Sequence, residues 1–166
     1  MHDVVFYEAF KEEQEHLKKF LPDGVRAQFR PETIQESTDK ECPAQLISTR
    51  TQSFIPDAWG TELAGVLTRS AGYDHLIEFK ARTKTSASLG YLPDYCSRAV
   101  AEQAFLMILF LLRKTKLQIK NFDSFKRDDI TGFECKNKQL LVVGVGRIGG
   151  QLVEMARGLG LKIKGV

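Results

Sequence analysis

Cysteine is scarce in this sequence of 166 residues, and its three cysteines are far apart. Cys42, Cys96 and Cys135 form no C-x-x-C spacing and leave an odd number for pairing. The sequence therefore suggests neither a disulfide framework nor a zinc site, and we expect no bound metal. Scattered thiols of this kind are typical of a reducing compartment.

Long hydrophobic segments are also absent. The longest apolar run, residues 104–112, is far shorter than the roughly 20 residues that a membrane-spanning helix needs. Residues 1–20 carry several acidic side chains and no signal-peptide core. We therefore expect a cytoplasmic protein that has no membrane partner.

The formal net charge of +3 is small and does not favour nucleic acid, because no basic stripe with interleaved aromatic residues stands out. The densest basic run consists of Arg113, Lys114, Lys116 and Lys120. It falls at the end of a predicted helix, where cationic side chains complement the helix dipole. A solvated helix end is thus favoured over a phosphate-binding patch.

Short apolar or alternating segments predict five strands in the first 95 residues, at 4–7, 25–29, 44–48, 63–67 and 87–92. Helices are predicted between them at 10–21, 31–38 and 76–85, with a loop or short helix at 56–62. Strands that alternate with helices form parallel sheets covered on both faces. Residues 1–96 are therefore predicted to form a flavodoxin-like parallel-sheet domain.

A single long helix is predicted over residues 97–120, with Ser97 as its N-cap. Its middle, residues 104–112, is apolar all round, which predicts burial on every side. In a two-domain protein such a helix belongs between the domains. The polar segment 121–137 is predicted to be mostly loop.

The most specific motif is the G-x-G-x-x-G spacing of Gly144, Gly146 and Gly149. An apolar strand at 140–143 precedes it, and an amphipathic helix and the beginning of a second strand follow it. This context favours a dinucleotide pyrophosphate at the helix N-terminus over the glycine turn of some other βα unit. Residues 97–166 are therefore predicted to be an interdomain helix and the incomplete start of a Rossmann domain, and the fold class is α/β.

Three segments together resemble the D-isomer-specific 2-hydroxyacid dehydrogenases: TRSAGYDH at 68–75, PDYCSRAVAEQ at 93–103 and VGVGRIG at 143–149. Their order and spacing match that family over nearly the whole chain. The resemblance is strongest to D-lactate dehydrogenase-like members, although these segments do not distinguish them from the D-glycerate, formate and phosphite dehydrogenases of the family. The resemblance implies an NAD-dependent oxidoreductase that acts on the CH–OH group of a D-2-hydroxy acid, and a homodimer for the full-length protein.

The resemblance also implies binding residues. Backbone N–H groups of Ser70, Ala71 and Gly72 would hold the carboxylate of a 2-hydroxy or 2-oxo acid, a plain βα turn being the alternative. Tyr95 would face the substrate, or is simply a half-buried aromatic residue. The implied cofactor contacts are Gly144, Gly146, Arg147, Ile148 and Gly149.

Other features limit what the resemblance implies. Gln103 and Ala104 stand where many members have histidine and threonine, which weakens any inference about cofactor contacts on that helix. The acidic residue that separates NAD from NADP would follow Val166. The family's catalytic arginine, histidine and glutamate would lie further on. We therefore assign no catalytic residue, and predict an amino-terminal part that is inactive by itself.

Two alternatives remain open at this point. One is a non-catalytic dinucleotide-binding module of the same fold that works in regulation or interaction. The other is a different dinucleotide-binding fold, such as a relative of alanine dehydrogenase or adenosylhomocysteinase, which segments 70–74 and 95–102 disfavour. His75 has no partner in the sequence pattern, so we expect a surface or hydrogen-bonded histidine.

Overall fold

A computed structural model describes residues 2–166 of the chain, which divide into two compact units. The first unit ends at Tyr95, and the second runs from Cys96 to Val166. The predicted roles of the two parts, a substrate domain at 1–96 and the start of an NAD-binding domain at 97–166, stay predictions. In the described part of the chain, no helix is long and apolar enough to cross a membrane.

The first unit is built on a parallel sheet of five strands. They are β1 (Val4–Phe6), β2 (Ala27–Phe29), β3 (Leu46–Thr49), β4 (Gly65–Thr68) and β5 (Ser88–Gly90). Their order in the sheet is β2-β1-β3-β4-β5, and every neighbouring pair is parallel. This is the flavodoxin-like order, so the predicted fold class is confirmed.

Two helices, α1 (Lys11–Phe20) and α2 (Asp74–Thr83), and a 3₁₀ helix at Asp57–Thr61 connect these strands. The short helix predicted at 31–38 is wrong, because the chain makes only a turn there. The Ser37 hydroxyl donates to the Ile34 carbonyl, and the Glu36 carboxylate accepts from the backbone N–H of Thr33. Such local side-chain bonds compete with helix formation.

The hydrophobic core of the first unit lies on one face of the sheet. Val5 and Tyr7 are both fully buried, and they share a face because alternate residues of a strand point the same way. The helical segments contribute Trp59 and Phe79, each 1% exposed. This core fixes the positions of the strand ends, from which the loops of the candidate site emerge.

The second unit contains helices α3 (Ser97–Leu112), α4 (Thr115–Asn121) and α5 (Arg147–Gly158), and strands β6 (Gln139–Val142) and β7 (Lys162–Gly165). The two strands pair in parallel. The predicted single helix at 97–120 is wrong, because Lys114 adopts φ 53° between α3 and α4. The Phe133 N–H donates to the Leu112 carbonyl at this break, and a Cβ on Gly132 would lie 2.6 Å from that carbonyl oxygen.

The expected burial of the long helix is also wrong for this chain. Ala101 is the one buried residue that the described part of α3 contains, whereas Met107 is 58% and Leu111 79% exposed. The predicted N-cap, Ser97, is the first helical residue, and Cys96 precedes it at φ 57°. An apolar pattern indicates a surface that avoids water, but it does not identify what covers that surface.

Candidate functional site

The carboxyl ends of parallel strands meet at one edge of a sheet, which is where open α/β sheets bind ligands. In the first unit, four loops leave this edge: 7–10 after β1, 50–56 after β3, 69–73 after β4 and 91–95 after β5. The predicted substrate residues belong to the last two of these loops. The side chains that hold the loops together come mainly from the first two.

Glu8 joins the loop after β1 to the loop after β3. It is 5% exposed and sits at φ 53°, a conformation that is uncommon for any residue with a side chain. Its carboxylate accepts backbone N–H groups from Arg50 at 3.0 Å, Gln52 at 3.1 Å and Ser53 at 3.1 Å. Bonds of this charge-assisted kind are the strong ones, so this carboxylate fixes the backbone of the loop after β3.

Arg69 anchors the first residue after β4. It is 5% exposed, and its guanidinium donates to the Glu13 carboxylate at 2.8 Å, the Tyr7 carbonyl at 2.8 Å and the Ser48 hydroxyl at 3.0 Å. The start of the predicted carboxylate loop is thereby tied to the loop after β1, to α1 and to β3. The sequence alone does not reveal the roles of Glu8 and Arg69, because no local spacing links them to their partners.

The predicted carboxylate loop is a compact turn with an open side. The Ser70 hydroxyl donates to the Gly72 carbonyl at 2.7 Å. Ala71 is partly buried and Gly72 is exposed. A Cβ built on Gly72 would have the Thr51 methyl, at 3.9 Å, as its nearest neighbour. The backbone of this turn is therefore accessible where the resemblance implies a substrate carboxylate.

Tyr95 lies at the same edge of the sheet and is 40% exposed. Its hydroxyl accepts from the Arg50 guanidinium at 3.3 Å. The Arg50 guanidinium also lies 5.6 Å from the centre of the Phe10 ring and 5.9 Å from that of Tyr95. Arg50 is a third residue whose role the sequence alone does not reveal, although it directly follows β3.

The expectation for His75 is wrong. This histidine is half-buried at the start of α2, and its Nε2 atom is buried without a hydrogen-bond partner in the described structure. Burial lowers the pKa of His75 below its usual 6.5, while the charges of Glu8, Asp74 and Glu78 act in the opposite direction. The imidazole is thus held in its neutral form near the loops of the site.

In the second unit, the three motif glycines occupy the turn between β6 and α5. Gly144 has φ +86°, which suits glycine. A Cβ on Gly149 would overlap the Gly144 carbonyl oxygen, so a side chain cannot fit there. A Cβ on Gly146 would meet no atom of the described structure within 4 Å, which leaves open space beside the backbone.

The remaining predicted cofactor residues, Arg147 and Ile148, form the first turn of α5. Among the described residues no side chain caps this helix start, and Ile148 is 42% exposed. A helix start presents backbone N–H groups and the positive end of the dipole, which suit a phosphate. The turn therefore fits a dinucleotide pyrophosphate. In the described residues, no cluster of three or more His, Cys, Asp or Glu could hold a metal ion.

Comparison with known proteins gives no match to a family model. Curated relatives are found, and the D-specific alpha-keto acid dehydrogenase of Enterococcus faecium is 30% identical over 150 residues, covering 84% of this chain and 45% of that protein. The aromatic 2-oxoacid reductase of Clostridium sporogenes is 32% identical over 97 residues, covering 57% of this chain and 29% of that protein.

Solved structures show the same fold. The D-lactate dehydrogenase of Aquifex aeolicus, solved with NAD and lactic acid, has a TM-score of 0.76 at 24% identity and covers 98% of this chain and 50% of that protein. The apo D-lactate dehydrogenase of Escherichia coli has a TM-score of 0.79 at 18% identity and covers 98% of this chain and 54% of that protein.

These matches place the chain among the relatives of dehydrogenases that act on D-2-hydroxy acids. The predicted family resemblance is confirmed: the chain is related to the D-isomer-specific 2-hydroxyacid dehydrogenases. It spans about half the length, or less, of the curated relatives it matches, which is consistent with an amino-terminal part.

Proposed function

We propose that this chain is the part of an NAD-dependent D-2-hydroxyacid dehydrogenase that holds the substrate carboxylate and the cofactor pyrophosphate. The observation that carries the proposal is the glycine turn of the second unit. Gly149 packs against Gly144 more closely than any side chain allows, while the space beside Gly146 is open. This combination meets the steric requirements of a pyrophosphate at a helix N-terminus.

The proposed cofactor contacts are the backbone N–H groups of the turn and of Arg147, Ile148 and Gly149. When bound, NAD supplies the nicotinamide ring that exchanges a hydride with the substrate carbon. The Aquifex aeolicus neighbour, which was solved with NAD, supports this choice of cofactor.

The proposed substrate contacts are the backbone N–H groups of Ser70, Ala71 and Gly72 in the first unit. A carboxylate held there would present its neighbouring carbonyl or hydroxyl group for reaction, and Tyr95 would face the substrate. Support comes from the exposed backbone at Gly72 and from relatives that are named for 2-oxo acids. The substrate class is therefore a small D-2-hydroxy acid and its 2-oxo counterpart.

We propose further that these 166 residues do not catalyse the reaction by themselves. Proton exchange at the substrate oxygen requires an acid or base held within hydrogen-bond reach, together with a group that polarises the carbonyl. The resemblance implies that these groups lie in the part of the relatives that this chain does not cover. The chain covers about half of the length of those relatives. A homodimer and a cytoplasmic location are proposed for the complete protein.

Fluorescence titration of the chain with NADH tests the cofactor half of the proposal. We expect saturable binding, and no change in signal at millimolar NADH would contradict it. An assay of NADH oxidation with a 2-oxo acid tests the second half separately, because turnover would disprove the predicted inactivity without affecting the cofactor site. Binding of NADH without detectable binding of any 2-oxo acid would favour the non-catalytic alternative.

A further inference from the structure

One arginine of the first unit differs from the others in its ion pairing. In the part of this unit that the structure describes, four of five arginines have a carboxylate oxygen within 2.9 Å. They are Arg26 with Asp3, Arg30 with Asp39, Arg69 with Glu13, and Arg82 with Asp57. Arg50 is the exception, since its ion-pair partner Glu13 lies 3.9 Å away and is already bound to Arg69.

The Arg50 guanidinium also has hydrogen-bond donors to spare. A guanidinium carries five N–H donors, and within residues 2–166 that of Arg50 makes one side-chain hydrogen bond, to the neutral hydroxyl of Tyr95 at 3.3 Å. The rings of Phe10 and Tyr95 lie beside it. The side chain is 28% exposed, so a small anion can reach a cation that is partly shielded from water.

The sheet order places this cation beside the predicted carboxylate loop. Strand β4 lies between β3 and β5, and Arg50 follows β3 whereas Tyr95 follows β5. The contact between them therefore spans the end of β4, where residues 70–72 begin. The Arg50 backbone is fixed there, because its N–H donates to Glu8 at 3.0 Å and its carbonyl accepts from the Thr68 hydroxyl at 3.4 Å.

We infer that Arg50 is a substrate-binding residue whose guanidinium pairs with the carboxylate that the N–H groups of residues 70–72 take. This inference rests on the proposed function and adds the charge that backbone N–H groups lack. A planar guanidinium can give a carboxylate two parallel hydrogen bonds. Tyr95 is then a positioning residue, whose hydroxyl and ring orient the guanidinium over the loop.

The test is a titration of the 166-residue chain with pyruvate, followed by the amide NMR signals of residues 70–72. Replacing Arg50 with glutamine should weaken binding about ten-fold or more, since a charge-assisted bond is lost. Arg50→Lys should lose less affinity for pyruvate than Arg50→Gln, because lysine keeps the charge although it lacks the planar guanidinium. Arg82→Gln is the matched control: Arg82 also pairs with a carboxylate and stacks on a ring, yet pyruvate affinity should not change.

The outcomes separate the inference from the proposed function. If the signals of residues 70–72 do not move in the unmodified chain, the substrate site and the inference both fail. If they move and Arg50→Gln binds pyruvate as tightly as the unmodified chain, the inference alone is wrong. Should Arg50→Gln fail to fold, Arg50→Met, which retains an apolar stem against the two rings, must show the same loss.

A titration with oxaloacetate shows which carboxylate Arg50 binds. Oxaloacetate shares with pyruvate the carboxylate next to the 2-oxo group and carries a second carboxylate at its far end. Pyruvate and oxaloacetate should lose affinity by the same factor in Arg50→Gln. A loss confined to oxaloacetate would place the guanidinium at the far end and overturn the inference.

Discussion

The two units of this chain differ in how well each buries its own apolar surface. In the first, five parallel strands carry a core whose largest members, including Trp59 and Tyr7, are essentially inaccessible to water. In the second, the sheet has two strands, and large apolar side chains such as Leu111 and Phe122 are more than 70% exposed. Two paired strands are at best marginal without further packing. The contrast is between a unit with a well-buried core, here called closed, and a unit that leaves many of its large apolar side chains exposed, here called open.

The candidate sites differ in the same way. The substrate loop of the first unit is held by contacts between distant residues, since Arg69 reaches Tyr7 across 62 positions and Glu8 reaches Arg50 across 42. The cofactor turn of the second unit depends on three glycines within six residues. We therefore expect the first site to depend on the integrity of its whole unit and the second to depend on local backbone geometry.

The largest predicted effect comes from removing a core ring from the closed unit. Phe79→Ala should destabilise the first unit by about 3–5 kcal/mol, because a large buried side chain leaves a cavity. Denaturant unfolding followed by the fluorescence of Trp59, the one tryptophan, measures this directly. The matched change, Phe110→Ala, removes a ring that is 46% exposed in the second unit and should cost about 1 kcal/mol or less by far-UV circular dichroism. Equal losses would show that the contrast in burial is false.

The next effect tests the local character of the cofactor turn. Gly149→Ala places a Cβ against the Gly144 carbonyl and should weaken NADH binding about ten-fold or more, through strain of the kind that overpacking causes. Gly146→Ala should weaken NADH binding without loss of helix content, since its Cβ meets only open space. Gly158→Ala, at the other end of α5 and also unobstructed, is the control that should leave affinity unchanged. Normal NADH affinity in Gly149→Ala would contradict the assigned geometry.

The sequence predicts features that depend on local spacing and misses those that depend on distant partners. The glycine turn and all five strands of the first unit follow from short patterns, with strand ends off by at most two residues. The break at Lys114 does not, because its causes, Gly132 and Phe133, are far along the chain.

The same division holds for the candidate site. Ser70–Gly72 is predicted through the resemblance, which a contiguous motif carries, whereas the partners of Glu8 and Arg69 become visible only once the strands are aligned. The charge balance around Arg50 is likewise a property of the folded sheet.

A smaller effect concerns the exposed apolar surface of the open unit. We expect the chain to self-associate through this surface, because contiguous exposed apolar patches favour association. Leu111→Glu should lower the mass measured by light scattering, since Leu111 is 79% exposed on α3. Phe20→Glu, in the first unit and 82% exposed, is the matched control and should leave the mass unchanged. A monodisperse monomer of the unmodified chain would contradict the prediction.

The smallest predicted effect is a pH dependence confined to the closed unit. Burial holds the pKa of His75 below the 6.5 of the unfolded chain, so folding favours the neutral imidazole. The stability that His75 contributes is therefore fully present above pH 6.5 and is lost as the pH falls through the lowered folded-state pKa. His75→Gln should flatten the decline in unfolding free energy between about pH 7 and pH 5, whereas His16→Gln, at an exposed site on α1, should not. The contrary result is a parallel decline, over this range, in the unfolding free energies of the unmodified chain and of His75→Gln. In that case protonation of His75 does not oppose folding, and the buried Nε2 atom has a partner in solution.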